Sequence, residues 1–190
     1  MWGVVLSRCQ PIHNGHVKVF RKALSENDKL LIVLGSKNKF GSRRNPLPYE
    51  QRLRMLNKVL DDEFKSDKAR IRVLGLCDWT MENYYSAVKE WGNFFYYNVV
   101  NIIGTKSFDF YYNDDKSIVD KWFTADIAKR VTVKQFERDD ISSTAVREAL
   151  LAHDSVKLKR MMCPVLYNTG DIFTMTEALI YSSHDDFIME

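Results

Sequence analysis

The 190-residue chain is 45% hydrophobic and 28% charged with a formal net charge of +3, the balance of a folded globular protein rather than a disordered one. Such mild basicity does not argue for nucleic acid, since an anionic small molecule accounts for it equally well, and no apolar run approaches the roughly 20 residues of a membrane span. Cys9, Cys77 and Cys163 stand far apart without ligand spacing, which argues against a disulfide framework or structural zinc and for a reducing cytoplasm; a start with no basic region and no long apolar stretch predicts no signal peptide.

Residues 2–7 are a short apolar run that reads as a buried strand. From Gly15 the apolar positions Val17, Phe20, Ala23 and Leu24 recur at helical spacing until Asn27 and Asp28 stop them. Residues 30–34 form a second aliphatic run, closed by Gly35 and Ser36, which completes a βαβ unit with a right-handed crossover. Residues 36–48 make a basic loop, and residues 49–62 return to a helical period through Leu53, Leu56, Val59 and Leu60. A third strand is predicted at 71–76, an aromatic-rich helix at 81–96, and a fourth strand at 99–104 that ends in Gly104. Residues 105–115 read as a polar, aromatic loop, 118–123 as a helix and 130–136 as a fifth strand.

Ser142, Ser143 and Thr144 cap a helix that runs through Val146, Leu150 and Leu151. One or two short helices follow residue 154, and residues 184–190 are expected to fray. The alternation predicts an α/β protein with a doubly wound, mostly parallel five-stranded sheet that binds ligands at its carboxyl edge. We expect residues 1–151 to form this domain and residues 152–190 a small helical extension packed on it.

Four stretches carry chemistry. Arg8-Cys9-Gln10-Pro11-Ile12-His13-Asn14-Gly15-His16 joins the first strand to the first helix, where free N–H groups and the helix dipole favour a phosphate and Gly15 lets it approach. His13 and His16 share a helix face, and their N–H donors suit an α-phosphate whose charge grows as it is attacked. A metal pair or two incidental surface histidines also fit the bare spacing, although no third ligand lies near in sequence. In Asp140-Ile141-Ser142-Ser143-Thr144-Ala145-Val146-Arg147, capping alone explains the hydroxyls, but Arg147 falls one turn in and makes a second phosphate site with them. Lys37, Lys39, Arg43 and Arg44 follow a strand's carboxyl end, as a solvated loop or as a mobile cover over phosphates. Asp78-Trp79-Thr80-Met81-Glu82-Asn83-Tyr84-Tyr85 offers aromatics to stack on a flat ring and a carboxamide to read its amide.

The order strand, Arg-x-Gln-Pro, His-Asn-Gly-His, helix, followed far along the chain by Ile-Ser-Ser-Thr-x-x-Arg, closely resembles the nucleotidyltransferase superfamily with the HxGH signature. That superfamily includes the nicotinamide-mononucleotide, pantetheine-phosphate and FMN adenylyltransferases and the small cytidylyltransferases. Its pattern usually has Gly-Arg-Phe before Gln-Pro, where Ser7-Arg8-Cys9 stands here. Arg44-Asn45-Pro46 with Glu50, Arg52 and Met55 is similar to a stretch of the nicotinamide-mononucleotide adenylyltransferases, with Leu47 in place of phenylalanine. Residues 102–112 resemble adenylyltransferases that carry a fused Nudix domain, with Thr105 where histidine is frequent; the Nudix signature is absent from these 190 residues.

The resemblance spans roughly residues 2–151 and implies a Rossmann-like nucleotidyltransferase fold. It implies transfer of AMP from ATP to nicotinamide mononucleotide, giving NAD and pyrophosphate. On that resemblance His13, His16 and Arg147 are catalytic, with His16 the α-phosphate donor. Arg8, Gln10, Gly15, Gly104, Ser142, Ser143 and Thr144 bind ATP, and Lys37, Arg44, Asn45, Trp79, Asn83 and Tyr85 bind the acceptor. Mg2+ is implied as a bridge between phosphates, held through substrate and water because no protein carboxylate cage is evident. The partners implied are small molecules, with no nucleic acid and no membrane. Another phosphorylated acceptor with ATP or CTP, a nucleotide-sensing module without catalysis, and a homo-oligomer all stay open.

Overall fold

The computed structural model describes residues 1–78, 84–112, 121–136, 140–183 and 187–188, with only the backbone described at 84–88 and 187–188. The amino-terminal elements are β1 (Trp2–Ser7), α1 (Asn14–Glu26), β2 (Lys29–Leu34), β3 (Lys39–Phe40), α2 (Tyr49–Glu63) and β4 (Ile71–Gly75). They are followed by α3 (Tyr84–Ile103), β5 (Phe108–Tyr111), the one-turn α4 (Ala125–Ala128) and β6 (Val131–Lys134). Next come α5 (Ser143–Leu151), α6 (Ser155–Met161), α7 (Pro164–Asn168), α8 (Asp171–Ile180) and β7 (Phe187–Ile188).

Five parallel strands build the central sheet in the order β4-β2-β1-β5-β6. Successive side chains of a strand point to opposite faces, and here both faces are covered. Val5, Leu30, Ile32, Leu34 and Tyr111 pack with α1, α2 and α5, while Val4, Leu31, Val33, Phe108 and Phe110 pack with α3 and Ile127 of α4. Burial on both sides is why β2 reads as an unbroken aliphatic run. Leu158, Met161, Leu166, Met175 and Leu179 of the carboxyl-terminal helices join the first of these cores. The chain winds outward from β1 in both directions, so the loops after β1 and β5 diverge at the carboxyl edge and leave a crevice there.

Two expectations fail between residues 99 and 115. Residues 99–104 are not a strand but the last turn of α3 and its end, and the fourth strand is β5, within the stretch expected to be a loop. Val99 and Ile103 lie one turn apart and pack beside Phe95 in the second core, so burial along a 20-residue helix outweighs the weak helix propensity of Val-Val-Asn-Ile-Ile. Phe108 and Phe110 alternate inward, the period of a strand. Gly104 therefore closes a helix in the left-handed conformation, φ +72°, with its N–H donating to the Val100 carbonyl at 2.9 Å.

The carboxyl-terminal part holds three helices rather than one or two. Residues 187–188, expected to fray, form β7 and pair antiparallel with β3, a strand inside the loop at 36–48. The Ser183 N–H donates to Gly41 O at 2.7 Å and the Arg43 N–H to Ser183 O at 3.1 Å, which straps that loop from outside. Of the helix expected at 118–123, residues 118–120 lie outside the described residues. Among the described residues no helix is long and apolar enough to cross a membrane.

Candidate active site

At the carboxyl end of β1 the chain turns into α1 through Arg8 to His13. Cys9 adopts the left-handed region, φ +48°, a strain of about 1 kcal/mol for a residue with a side chain. That twist turns the Cys9 N–H toward Ser7 Oγ at 3.2 Å. His13 is the N-cap of α1, and its backbone N–H donates to His16 Nδ1 at 3.2 Å, the reach-back that Glu or Gln makes in a capping box. With Nδ1 accepting, the neutral ring carries its proton on Nε2, which lies 2.7 Å from Ser7 Oγ. Burial, and then neighbouring His13, holds the His16 pKa well below the ordinary histidine value, so the ring is neutral at pH 7. The two imidazoles lie 3.8 Å apart between centroids. A Cβ at Gly15 would sit 3.0 Å from the His13 ring and 3.3 Å from the Ile141 carbonyl, a tight fit that would push on both halves of the site.

The second half arrives on α5. Ser142 caps the helix by accepting from the Ala145 N–H at 3.1 Å. Ser143 Oγ donates to the Pro11 carbonyl at 3.1 Å, and Arg147 donates to the Gln10 carbonyl at 2.8 Å and to Thr144 Oγ1 at 3.1 Å. Residues more than 130 positions apart are thus hydrogen-bonded across one crevice. Burial, then the like charge of Arg8, lowers the Arg147 pKa; Glu148 opposes this and Arg44 adds to it. The positive charges of Arg8 and Arg44 are both felt at Arg147, which favours an anion at this face. The crevice holds about 610 Å³ and is lined by Ser7, Arg8, His13, Gly15, His16, Ser142, Ser143 and Thr144. Lys18, Lys22, Tyr111, Gln135 and Phe136 also contribute to the wall. No aspartate or glutamate lines it among the described residues, so its donors suit phosphate oxygens rather than a protein-held cation.

Gln10 and Gly104, both expected nucleotide contacts, and Asn14 have other neighbours in the fold. Gln10 reaches the crevice wall, but its carboxamide is engaged by Leu47: Nε2 donates to Leu47 O at 2.8 Å and Oε1 accepts from Leu47 N at 3.0 Å. It ties the basic loop to the first motif. Gly104 lies just before β5, at the amino edge of the sheet and away from the crevice, because the strand expected to end there is a helix. Asn14 is turned to the carboxyl-terminal helices, donating to Arg160 O at 3.0 Å and Met162 O at 3.3 Å.

The loop that carries Lys37, Arg44 and Asn45 docks on the first motif. Arg8 Nη1 donates to Asn45 Oδ1 at 3.2 Å, which brings an expected nucleotide contact against an expected acceptor contact. Lys37 lies 5.1 Å from the Tyr49 ring centroid, and Arg44 is exposed. Asp78 secures the loop's start, accepting from Ser36 Oγ at 2.6 Å and Ser36 N at 3.2 Å. Trp79 and Asn83 lie outside the described residues, and of Tyr85 only the backbone, in the first turn of α3, is described. Cys9 is buried and its thiol is pushed up to about 11, so it is not a reactive thiolate.

The sequence reading placed Arg52 in a family-like stretch but gave it no structural role. Arg52, 1% exposed, donates to the carbonyls of Arg8 at 2.7 Å, Gly35 at 2.8 Å and Ser36 at 2.8 Å, joining the loops that follow β1 and β2. Its spacing to Met55, Leu56 and Val59 puts an arginine on the apolar stripe of α2, and that was the available signal.

Residues 8–149 match the family described as cytidylyltransferase-like. The nicotinamide-nucleotide adenylyltransferase of Thermococcus kodakarensis is 26% identical over 149 residues, 78% of this chain and 72% of the relative. That of Thermococcus onnurineus is 35% identical over 60 residues, 32% of each chain, so the aligned part spans about a third of that relative. Among solved structures, a bifunctional NMN adenylyltransferase/ADP ribose pyrophosphatase from Francisella tularensis, complexed with AMP and a manganese ion, superposes with a TM-score of 0.72 at 18% identity, over 94% of this chain and 51% of that one. The NadR protein in complex with NAD and AMP-PNP superposes with a TM-score of 0.61 at 24% identity, over 87% and 45%. At these identities the likeness is one of fold.

Proposed function

Because the chain belongs to the cytidylyltransferase-like family, we propose that it is an adenylyltransferase that moves AMP from ATP to nicotinamide mononucleotide, releasing NAD and pyrophosphate. The observation that carries this reading is the pair of cross-crevice hydrogen bonds, Ser143 to Pro11 and Arg147 to Gln10, which close two phosphate-binding helix starts over one cavity. The choice of acceptor is supported by relatives named nicotinamide-nucleotide adenylyltransferase and by the Arg44-Asn45-Pro46 loop docked on Arg8.

The mononucleotide phosphate attacks the α-phosphorus of ATP, the bond to the β-phosphate oxygen breaks, and pyrophosphate leaves. That phosphate is already ionised at pH 7, so neither a general base nor a covalent nucleophile is needed; catalysis is positioning and charge stabilisation. The neutral His16 and neighbouring His13 serve the α-phosphate. Ser142, Ser143, Thr144 and Arg147 hold the β- and γ-phosphates, with the α1 and α5 N-termini adding dipole and N–H donors. Arg8 holds ATP next to the acceptor loop, Arg44 reaches the acceptor phosphate, and Asn45 with Lys37 holds the loop beside it. Trp79, Asn83 and Tyr85 take the nicotinamide ring in this reading. A divalent ion, magnesium in the cell, would neutralise phosphate charge and be held by phosphates and water, in keeping with a wall free of carboxylates among the described residues. Free thiols at all three cysteines suit a reducing compartment such as the cytoplasm.

The test is pyrophosphate release with ATP or CTP against nicotinamide mononucleotide, nicotinate mononucleotide, phosphopantetheine and FMN. ATP with nicotinamide mononucleotide should give NAD and pyrophosphate in equal amounts. No product from that pair would overturn the assignment.

A further inference from the structure

Ser7 ends β1, and its hydroxyl has three neighbours: His16 Nε2 at 2.7 Å, the Cys9 N–H at 3.2 Å and Cys9 Sγ at 3.6 Å. The first two are donors. His16 Nδ1 already accepts from the His13 backbone, so the ring can only give its Nε2 proton to Ser7. A hydroxyl has two lone pairs and one proton. With both lone pairs taken by these stronger donors, the O–H points away from both of them, and the Cys9 thiol at 3.6 Å is only a weak, long contact. Ser7 lines the crevice together with His13, Gly15, His16 and Ser142, so an anion there can meet the Ser7 O–H while the His16 Nε2 proton is engaged by Ser7 Oγ.

We propose that Ser7 is a further catalytic residue of the transfer: its hydroxyl donates to a non-bridging oxygen of the α-phosphate, and His16 acts through it. No proton leaves Ser7. The His16 N–H and the Cys9 amide polarise the O–H, and this chain of hydrogen bonds strengthens as charge builds on the phosphate oxygen in the transition state. The left-handed Cys9 backbone thereby gains a purpose, since it brings the second donor to Ser7 Oγ. The inference rests on the adenylyl transfer proposed above.

The test compares Ser7→Ala, Ser7→Gly and Ser7→Thr by pyrophosphate release with ATP and nicotinamide mononucleotide, each variant first matched to the parent in melting temperature. Ser7→Ala and Ser7→Gly should lower kcat by about 100-fold, the size of losing one transition-state donor, with KM for ATP little changed. Ser7→Thr, which keeps the hydroxyl, should recover most of kcat. In a His16→Ala background, Ser7→Ala should add little, because the two groups work as one unit. Unchanged or raised kcat in Ser7→Ala would overturn the inference, since His16 freed from Ser7 would then be donating directly. A change confined to KM would overturn it too, by making Ser7 a ground-state contact. A parent protein inert with ATP and every acceptor would remove the transfer reaction itself, an outcome distinct from a fully active Ser7→Ala.

Discussion

Arg52→Met removes a guanidinium from beneath the crevice while keeping an unbranched side chain in its place. Arg52 is almost fully buried, and its three hydrogen bonds end on the carbonyls of Arg8, Gly35 and Ser36. Each buried acceptor left bare costs about 1–3 kcal/mol. Part of that loss is offset, because the folded protein no longer keeps a desolvated charge away from water; burial already lowers the Arg52 pKa. The net expectation is a loss of about 3–5 kcal/mol, which for a chain of this size lowers the melting temperature by about 6–20 °C. The bare carbonyls belong to the loops that carry the first motif and the basic segment, so affinity for a non-hydrolysable ATP analogue should fall by about tenfold or more, equivalent to about 1.4 kcal/mol. Scanning calorimetry and titration calorimetry measure the two effects. Arg52→Lys should sit between, because an ammonium cannot reproduce a fork that spans three carbonyls. An Arg52→Met protein within about 1 kcal/mol of the parent, with parental nucleotide affinity, would refute the role given to this side chain.

His16→Ala should lower kcat by about 100- to 1000-fold with the circular dichroism spectrum unchanged; full activity would remove His16 from the chemistry. The folded His16 pKa lies well below the unfolded value of about 6.5, so in the window between them the unfolded chain binds more protons. Its contribution to stability is therefore present above about pH 6.5 and is lost as pH falls toward the folded value, with a slope of up to about 1.4 kcal/mol per pH unit. Urea unfolding across that range should show a shallower slope in His16→Gln, and identical slopes would show that His16 is not held neutral. Alkylation of the native protein near neutral pH should modify the exposed Cys77 and spare Cys9 and Cys163, which are buried with thiols pushed up to about 11 and about 12. Mass spectrometry reads the labelled sites, and rapid labelling of Cys9 would contradict the packing described for the first motif.

What the amino-acid sequence determined by itself is the chemistry held within a turn or two of chain. The strand-to-helix switch at residues 8–16, the Ser142 cap and the placing of Arg147 one turn inside α5 follow from capping and helical spacing, and they stand as expected. The parallel sheet followed from alternation of strand and helix, as both are local patterns. Residues 99–104 were misread because a β-branched run packs equally well as a strand or as the inner face of a helix, and only the second core decides between them. Gly104 left the site with that correction. Partnerships across the chain were beyond local reading. Gln10 is claimed by Leu47, Arg52 by three carbonyls at the ends of β1 and β2, and Ser7 by a histidine nine residues on. A side chain's residue type states which bonds it can make. The sheet, by bringing loop ends together at its carboxyl edge, decides which of them it does make, because a buried polar group must take the partner the fold sets beside it.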